Sequence, residues 1–375
     1  MTIDKLHFEK SSWILEDKGE CRADAVDIVF VFGDIDVLQA YNHSALLKQK
    51  YPNAHIVGAS TAGNILDNTL SEYGAVATAV SFDKGHISVN SVHALRGESL
   101  IESSKALVEG LPQDGLRHIF VLADSLKTNG SELTKGVNSI SEVSVTGGLA
   151  GDDMRFDHTL VFIDGPAEEM AAVAIGFYGE SLHVRIGCKA GWDEFGAERV
   201  VTKSEGNIVY EIDDKPALEL YENYLGEYIK DLPASGLLFP LNIKEHDSDN
   251  EVIRVMMGIN EDRSIVFAGD IPQRSIVRLM RTNIENLIDG ASLAANAITP
   301  HNTKRSLALT VSCSGRRSVL KQLVDEEIEV IQEILGDQTQ LVGFYSYGEI
   351  APFSDDLLDC KLHNQTMTLT VIYED

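Results

Sequence analysis

The sequence predicts an α/β fold with a duplicated sheet-and-helix architecture and an antiparallel β-rich insertion. Three observations lead to this class. A glycine segment occurs twice and in a looser third form, each copy follows the same order of elements, and the chain before the last copy changes to short alternating strands. Repeats at this scale are the first feature to establish, because they determine the whole architecture.

The glycine segments are residues 57–65, 145–152 and 342–350. The first and last carry valine, two glycines and isoleucine in the same four places, with a hydroxyl side chain, Thr61 or Ser346, at the same offset. The middle segment is a looser copy. We therefore predict strand–helix–glycine loop–strand units in which the loops recur and the intervening sequence does not.

Each unit is predicted to open and close with an apolar strand. The opening strands are residues 28–32, 119–122 and 307–311, and the closing strands are residues 75–80, 171–175 and 367–372. Helical spacing of apolar residues follows the first and last opening strands. One predicted helix carries Leu38, Tyr41, Leu46 and Leu47 on one face, and another covers residues 320–335.

The antiparallel insertion is predicted near residues 195–270. Strands are expected at 198–203 and 207–212, a helix begins near Pro216, and 251–257 with 264–268 form a hairpin. Residues 275–297 are interpreted as one long helix. We divide the chain into a leader or added edge strand (1–25), an N-terminal domain (26–195) and a C-terminal domain (196–375), which pack together because no flexible linker separates them.

Composition narrows the function. Hydrophobic residues make up 44% of the chain, but its formal net charge is −27, from 58 acidic and 31 basic residues. Such a surface repels phosphate backbones and anionic lipids, so we expect neither nucleic acid nor a membrane as partner. The four cysteines are far apart, and the polar start has no signal region. These features favour the cytoplasm.

Enzyme motifs are missing from the sequence. It has no phosphate-binding loop with lysine, no Gly-x-Ser-x-Gly elbow and no His-Glu-x-x-His motif. Cys313 and His363 are distant in sequence but can form a thiol hydrolase pair if the fold brings them together. We expect no enzymatic activity and keep a cysteine-dependent hydrolase as an alternative.

Several motifs carry a family resemblance. Residues 343–352, followed by His363-Asn364-Gln365-Thr366, resemble the C-terminal signature of FIST domains, named for F-box and intracellular signal transduction. Residues 312–317 resemble the family's Cys-x-x-Arg segment. Residues 57–63 resemble its Val-Gly-Cys-Ser-Thr-Ala-Gly motif, with Ala59 in place of the common cysteine. Four further segments fall where the family has them: 147–152, Gly191-Trp192, 216–221 and 239–241. The match spans about residues 26–375.

The resemblance implies a function. FIST domains are regarded as sensory modules for small ligands in bacterial signal transduction. Stand-alone members include haem proteins that sense nitric oxide and regulate a partner histidine kinase of a two-component system, and the length of this chain suits them. An amino-acid-like metabolite is the alternative ligand. The sequence leaves the oligomeric state open, a homodimer included.

Ligand-binding residues are predicted at the glycine loops and in the C-terminal signature. Glycines allow a ligand to approach the main chain, and the carboxyl edge of an α/β sheet is a common binding place. The predicted set is Ser60, Thr61, Gly63, Arg316, Ser346, Tyr347, Glu349 and Asn364. In the amino-acid version, Arg316 binds the ligand carboxylate and Glu349 its amine. Alternatively, Arg316 forms a salt bridge with Glu349 or another nearby acid.

A haem-bound protein needs one neutral axial imidazole held by a neighbouring acceptor. His363 is the predicted axial ligand, with Asn364 or Asp359 to orient it. His183, His246 and a Cys313 thiolate are the other candidates. Nothing in the residue spacing demands haem, although the haem version is our first expectation from the resemblance and the amino-acid version our second.

Overall fold

The computed structural model describes residues 1–375 except 17–19, 72, 94–99, 169–171, 246–249, 299–303 and 354–355. It confirms the α/β class and contains three six-stranded sheets and one curled antiparallel sheet within the described residues.

The first unit contains β1 (Thr2–Glu9), β2 (Ser12–Leu15), β3 (Ile28–Gly33), α1 (Ile35–Ala40), α2 (His43–Lys50), β4 (His55–Ser60), β5 (Asn64–Leu66), β6 (Thr69–Leu70) and β7 (Ala75–Ser81). The second contains β8 (His86–Val92), α3 (Leu100–Glu109), β9 (Leu116–Ala123), α4 (Gly130–Asn138), β10 (Ser144–Leu149), β11 (Val161–Ile163) and β12 (Ala172–Tyr178).

The insertion follows β13 (Leu182–Lys189) and contains β14 (Asp193–Glu205), β15 (Ile208–Ile212), β16 (Lys215–Pro216), α5 (Ala217–Tyr224), β17 (Leu241–Lys244), β18 (Glu251–Arg254), β19 (Met256–Ile259), β20 (Ile265–Phe267) and β21 (Ile276–Arg281). The third unit contains α6 (Ile284–Asn296), β22 (Ser306–Cys313), α7 (Ser314–Leu320), α8 (Val324–Leu335), β23 (Thr339–Ser346), β24 (Gly348–Pro352), β25 (Cys360–His363) and β26 (Met367–Glu374).

The three units build their sheets in the same way. In each, the opening strand pairs in parallel with the strand of the glycine segment and antiparallel with the closing strand. These pairs are β3 with β4 and β7, β9 with β10 and β12, and β22 with β23 and β26. The middle segment, which matched least well in sequence, is therefore a full structural copy.

The units also exchange strands around a ring. After its glycine segment, each unit sends a strand into the sheet of another unit. β5 of the first pairs with β23 of the third, β11 of the second with β4 of the first, and β24 of the third with β10 of the second. β1 adds to the outer side of the first sheet through β7, so part of the N-terminal segment lies within that sheet.

A shared apolar core lies between the three sheets. Phe32 stacks on Phe344 from another unit, with ring centroids 4.7 Å apart, and Phe30 meets Phe120 edge-on. The outer face of each sheet is covered by its own helices, such as α6 and α8 on the third. Because the central strands of the three sheets, such as β3, β7, β12, β22 and β26, are covered on both faces, they read as continuous apolar runs.

One glycine in each unit lies where its parallel strand pair approaches most closely. A Cβ added at Gly58, Gly147 or Gly343 would lie 2.4, 1.9 or 1.7 Å from the carbonyl oxygen of its register partner on the neighbouring strand. No side chain fits at such a distance. These glycines are required for strand packing, whereas the sequence had suggested a role in ligand approach.

Two helix predictions are wrong. Residues 275–297 contain a strand, β21, followed by α6. Val277 and Leu279 are buried while Ile276 is exposed and Arg278 is half-exposed, which is the period of two expected of a strand. The predicted helix of residues 38–47 is two helices, since the chain becomes extended at Tyr41 and Asn42 caps the second by accepting from Ala45 N. The predicted strand 251–257 is divided into β18 and β19.

Among the described residues, no helix combines the length and apolar character needed to cross a membrane.

Candidate functional site

The three glycine loops meet inside the molecule. Ala62 N donates to the carbonyl of Tyr345, Gly151 N to that of Ser60, and Tyr347 N to that of Leu149, so each loop bonds to another. The loops therefore converge, as the repeat pattern led us to expect. Their meeting point is a packed polar cluster rather than an open cavity.

The loop hydroxyls are used within this cluster. Thr61 Oγ1 donates to Asn64 Oδ1 at 2.7 Å, Ser60 Oγ accepts from Leu160 N, and Ser346 Oγ donates to Glu349 at 2.6 Å. All three residues are fully buried. Gly63 has a φ of +133° and lies beside the Arg317 side chain, and the Tyr347 hydroxyl donates to Asp152. Binding a ligand at these hydroxyls requires that internal bonds open.

Arg316 is held by the protein itself. It is 0% exposed, its Nε and Nη2 donate to Glu327, and its remaining bonds go to the carbonyls of Ala190 and Leu287. Of the two interpretations drawn from the sequence, the salt bridge to a nearby acid is the one that the structure contains. The acid is Glu327 and not Glu349.

Glu349 lies between the loop cluster and the surface. It accepts from Ser346 Oγ on one oxygen and from both the N–H and the hydroxyl of Thr366 on the other. Burial raises the pKa of this carboxyl from 4.5 to about 7, and the three donors oppose that shift. Near neutral pH the charged and the neutral forms of this carboxyl are therefore both populated, one hydrogen bond from Thr366.

Replacing Glu349 by glutamine should make stability less dependent on pH. The folded-state pKa is raised, so the neutral form contributes stability that is present below pH 4.5 and is lost as the pH rises through about 7. Glutamine keeps an acceptor for Thr366 and is always neutral. Relative to the original protein, Glu349→Gln should gain about 2 kcal/mol in unfolding free energy between pH 5 and pH 8. Urea unfolding of both proteins at pH 5 and at pH 8 measures this gain. A difference in unfolding free energy between the two proteins that is equal at both pH values would contradict the prediction.

A cleft of about 350 Å³ opens on the other side of Thr366. It lies between β13 at the edge of the third sheet and the insertion strands β14, β17, β18 and β21, and the exchanged strands β24 and β25 border it. Its lining residues are Cys188, Lys189, Ala190, Trp192, Glu194, Asn242, Glu251, Ile253, Met280, Pro352, Phe353, His363 and Thr366. We call it the amine cleft, for the chemistry described next.

Motifs from distant parts of the sequence meet in the amine cleft. Trp192 comes from the Gly-Trp pair, Pro352 ends the C-terminal signature, and His363 and Thr366 come from the His-Asn-Gln-Thr segment. Asn242 lies just after the Phe-Pro-Leu segment. These motifs were separate in the sequence, and the fold gives them one common location.

The carboxylates of the amine cleft are in two different states. Glu194 pairs with Arg278 at 2.9 Å, whereas no ion pair joins Glu251 to another residue in the part of the chain that the structure describes. The amide nitrogen of Asn242 donates to both, at 2.6 and 2.7 Å, and fixes their spacing. Among the lining residues that the structure describes, Lys189 is the only cation at neutral pH. The sequence offered no signal for Glu194 or Glu251, since both are ordinary residues of predicted strands or turns.

Two buried polar atoms near the amine cleft lack partners among the described residues. Trp192 Nε1 is a donor, and Asn364 Oδ1, next to His363, is an acceptor. Leaving a buried polar atom without a partner costs about 1–3 kcal/mol. The surroundings of the cleft thus contain both an unused donor and an unused acceptor.

His363 is buried, and its Nε2–H donates to the carbonyl of Ala351 at 3.0 Å. Burial lowers its pKa to about 4, so the ring is neutral at pH 7. The residues present do not fit haem. Nε2 of His363, the usual ligating nitrogen, is engaged by Ala351, and the cleft beside it carries two carboxylates, which do not suit the anionic propionates of haem. No cluster of three or more metal-binding side chains occurs among the described residues.

The other axial candidates are also engaged. His183 bonds to Asp375 at the surface, and His246 lies outside the described residues. Cys313 Sγ accepts from Gly315 N, and burial raises the pKa of its thiol. Among the described residues, no hydrogen bond joins His363 to Cys313, so the thiol–imidazole contact of the hydrolase alternative is not present in this structure.

Comparison with known proteins identifies the family of this chain. The FIST N domain matches residues 27–215 and the FIST C domain matches residues 217–352. An uncharacterized protein of Methanocaldococcus jannaschii is 26% identical over 368 aligned positions, covering 88% of this chain and 69% of that protein. The crystal structure of a cyanuric acid hydrolase from A. caulinodans covers 94% of this chain and 91% of its own, at 7% identity and a TM-score of 0.38, which supports no conclusion about activity. The chain therefore belongs to the FIST family, whose domains sense small ligands in signalling.

Proposed function

We propose that this protein is a cytoplasmic receptor that binds an amino-acid-like metabolite in the amine cleft and reports it to a separate signalling protein, such as a histidine kinase. The observation that carries the proposal is the meeting of the family motifs in one cleft with the carboxylate of Glu251, which forms no ion pair with any other described residue. Small-ligand sites typically combine apolar walls with a few placed polar groups, and this cleft does so.

The chemistry of the lining matches a zwitterion. An ammonium group that binds at Glu251 supplies a positive countercharge to this carboxylate. The ring of Trp192 offers a face to the same cation. The ligand carboxylate then takes the unused N–H of Trp192 and the charge of Lys189. Arg316 and Glu349, which the sequence placed on the ligand, act behind the cleft in this proposal.

Thr366 connects the cleft to the interior. It lines the amine cleft and donates twice to Glu349, which in turn accepts from Ser346 in the loop cluster. A ligand that moves Thr366 changes the donors around a carboxyl whose pKa is near 7. We propose this chain of contacts as the first part of the route by which binding alters the three-unit ring.

Glu251→Gln should weaken binding of the metabolite about tenfold, because a hydrogen bond to a charged group is worth more than one to a neutral group. The measurement is a screen of free amino acids by calorimetry. In a Trp13→Phe background, the fluorescence of Trp192, the second of two tryptophans, reports occupancy of the cleft.

The matched control is Glu219→Gln, which removes an exposed carboxylate paired with Lys215 on α5. It should bind as the original protein does. N-acetylated forms of the same ligands lack the ammonium group and should not bind. If free and acetylated forms bind equally, or if no amino acid changes the Trp192 signal at millimolar concentration, the amine proposal fails.

The haem version predicts a different result. A protein supplied with haem would show a Soret band that shifts with nitric oxide and is lost in His363→Ala. The geometry around His363 argues against it, and the amine proposal expects a colourless protein. The absorption spectrum of freshly isolated protein separates the two. Regulation of a kinase and a homodimer stay predictions, and the proposal includes no catalytic step.

A further inference from the structure

The three units differ in how the outer edge of each sheet ends. In every unit one more strand pairs antiparallel with the closing strand: β1 with β7, β8 with β12 and β13 with β26. These outer strands occupy equivalent positions in the repeated architecture. β1 is covered in turn by β2, whereas β8 and β13 are the last strands of their sheets.

The two outer strands that end a sheet differ in charge. β13 carries Arg185 and Lys189, and both side chains are exposed. β8 contains no aspartate, glutamate, lysine, arginine or proline, and its pairing with β12 runs without a bulge along all seven residues. Natural sheets protect their open edges with charges, prolines, bulges or very short strands, because an unprotected edge pairs with another chain. β8 has none of these protections.

The main chain of β8 is open on its outer side, although both of its faces are covered. Ile87 and Val89 pack against the shared core, and Asn90 on the other face donates to the carbonyls of Ala106 and Leu107 on α3. Apart from the pairing with β12, no hydrogen bond joins the N–H and C=O groups of β8 to another described residue. The edge therefore offers a row of free donors and acceptors to an incoming strand.

No other sheet edge in the described structure offers an equivalent surface. Besides β8 and β13, the strands that end a sheet have two to four residues; they are β2, β6, β11, β16, β18, β19 and β25. A head-to-tail assembly needs two different complementary surfaces, and the described chain has only one long neutral edge. Pairing of this edge with itself around a two-fold axis uses one surface twice and closes at two chains.

We propose that β8 is the interface of a homodimer, in which two copies of the chain pair their β8 strands antiparallel. The two second-unit sheets then form one continuous sheet. In the register that pairs all seven residues, Val89 lies opposite Val89 of the second copy, and Ser88 lies opposite Asn90. Every cross-strand neighbour is therefore uncharged, and no like charges meet.

The net charge of the chain sets the strength of this dimer. With a formal charge of −27 on each copy, the two chains repel each other, and only a neutral strip allows close approach. A single pair of seven-residue strands also buries less surface than a standard interface. We therefore expect a dissociation constant of about 10 μM, and tighter association at higher salt because ions screen the repulsion.

Sedimentation equilibrium of the full chain tests the dimer. We expect monomers at about 0.5 μM and mostly dimers at about 100 μM. Ser88→Lys should raise the dissociation constant about fivefold or more, because the two lysines lie on the same face of neighbouring strands and repel each other. Since Ser88 is only half-buried, this variant should unfold at the same urea concentration as the original protein.

A charge swap identifies the partner as a second copy. Ser88→Glu should also associate weakly alone, whereas an equal mixture of Ser88→Lys and Ser88→Glu should pair at least as tightly as the original protein. Leu293→Lys is the matched control. It adds the same charge at the most exposed large apolar side chain of the described chain, which is 57% exposed on α6, and should leave association unchanged.

Four results would overturn the proposal. The first is a chain that stays monomeric at about 100 μM, which would leave the edge of β8 to an extended segment of a different protein. The second is a Ser88→Lys variant that associates like the original protein. The third is a Leu293→Lys variant that dissociates, which would place the interface on α6. The fourth is a mixture of the two Ser88 variants that associates no better than either variant alone.

Discussion

Replacing Gly343 by alanine should prevent the third sheet from forming, so that the variant is recovered unfolded or aggregated. Its Cβ would lie 1.7 Å from the carbonyl oxygen of Thr310 and 2.6 Å from the carbonyl carbon. The neighbouring group is backbone in the centre of a sheet and has no rotamer by which to move away. Core overpacking commonly costs about 1–3 kcal/mol, and a contact with fixed backbone belongs at or above the upper end.

Replacing the corresponding glycine by alanine in the other two units should also destabilise the fold. Gly147→Ala and Gly58→Ala place a Cβ 1.9 and 2.4 Å from the corresponding carbonyl oxygens, so we expect the damage to follow the order of these distances. Gly258→Ala is the matched control. Gly258 also lies in a strand, but nothing lies within 4 Å of its added Cβ, and this variant should fold normally. The yield of soluble protein and its circular dichroism spectrum show whether each variant folds. A stable Gly343→Ala protein would show that the parallel strands are spaced more widely than described.

Arg316→Met should lower the free energy of unfolding by about 3–5 kcal/mol, because it leaves a fully buried carboxylate without its countercharge. Glu327 is 0% exposed, and besides Arg316 its oxygens accept only from the hydroxyls of Tyr345 and Ser312 in the described structure. The carbonyls of Ala190 and Leu287 also lose their donor. Urea unfolding at pH 7 measures the loss.

A second substitution tests the cause. Adding Glu327→Gln to Arg316→Met removes the unpaired charge and keeps an acceptor for Tyr345, so the double variant should be more stable than the single one. Arg263→Gln is the surface control, since its pair with Glu222 is partly exposed and should contribute less than about 1 kcal/mol. A double variant that is less stable than Arg316→Met would mean that the charge of Glu327 is compensated elsewhere.

Local patterns predicted much of this fold. The apolar runs of β3, β9 and β22 and the recurrence of Val-Gly-x-x-Thr/Ser identified the repeated unit, because a buried parallel strand pair imposes the same demands wherever it occurs. The exchange of β5, β11 and β24 could not be read from sequence. A strand shows that it needs a partner, but it does not show which of three similar edges supplies one.

The candidate site was predictable only in part. His363, Thr366 and Trp192 belonged to quoted motifs, although nothing indicated that they meet. Arg316 and Glu349 were predicted as ligand contacts, and the structure buries both. The partner of Arg316 is Glu327, a helix residue eleven positions later that the sequence did not distinguish from a surface glutamate. Glu251 lies at the start of an ordinary predicted strand. Its importance comes from the amine cleft that tertiary packing places around it.

The exchanged strands also constrain how the protein is made. Leu70, beside β5, bonds to Asp325, which is 255 residues away in sequence, and β5 itself completes the edge of β23 near the end of the chain. During synthesis the β5–β6 hairpin of the first unit therefore has no β23 to pair with until the ribosome has produced almost the whole polypeptide. Contacts of such long range slow folding, and a nascent chain interrupted before residue 339 would expose an unsatisfied strand to its neighbours. The ring of exchanged strands thus makes the folding of the newly synthesised protein dependent on completion of its last unit.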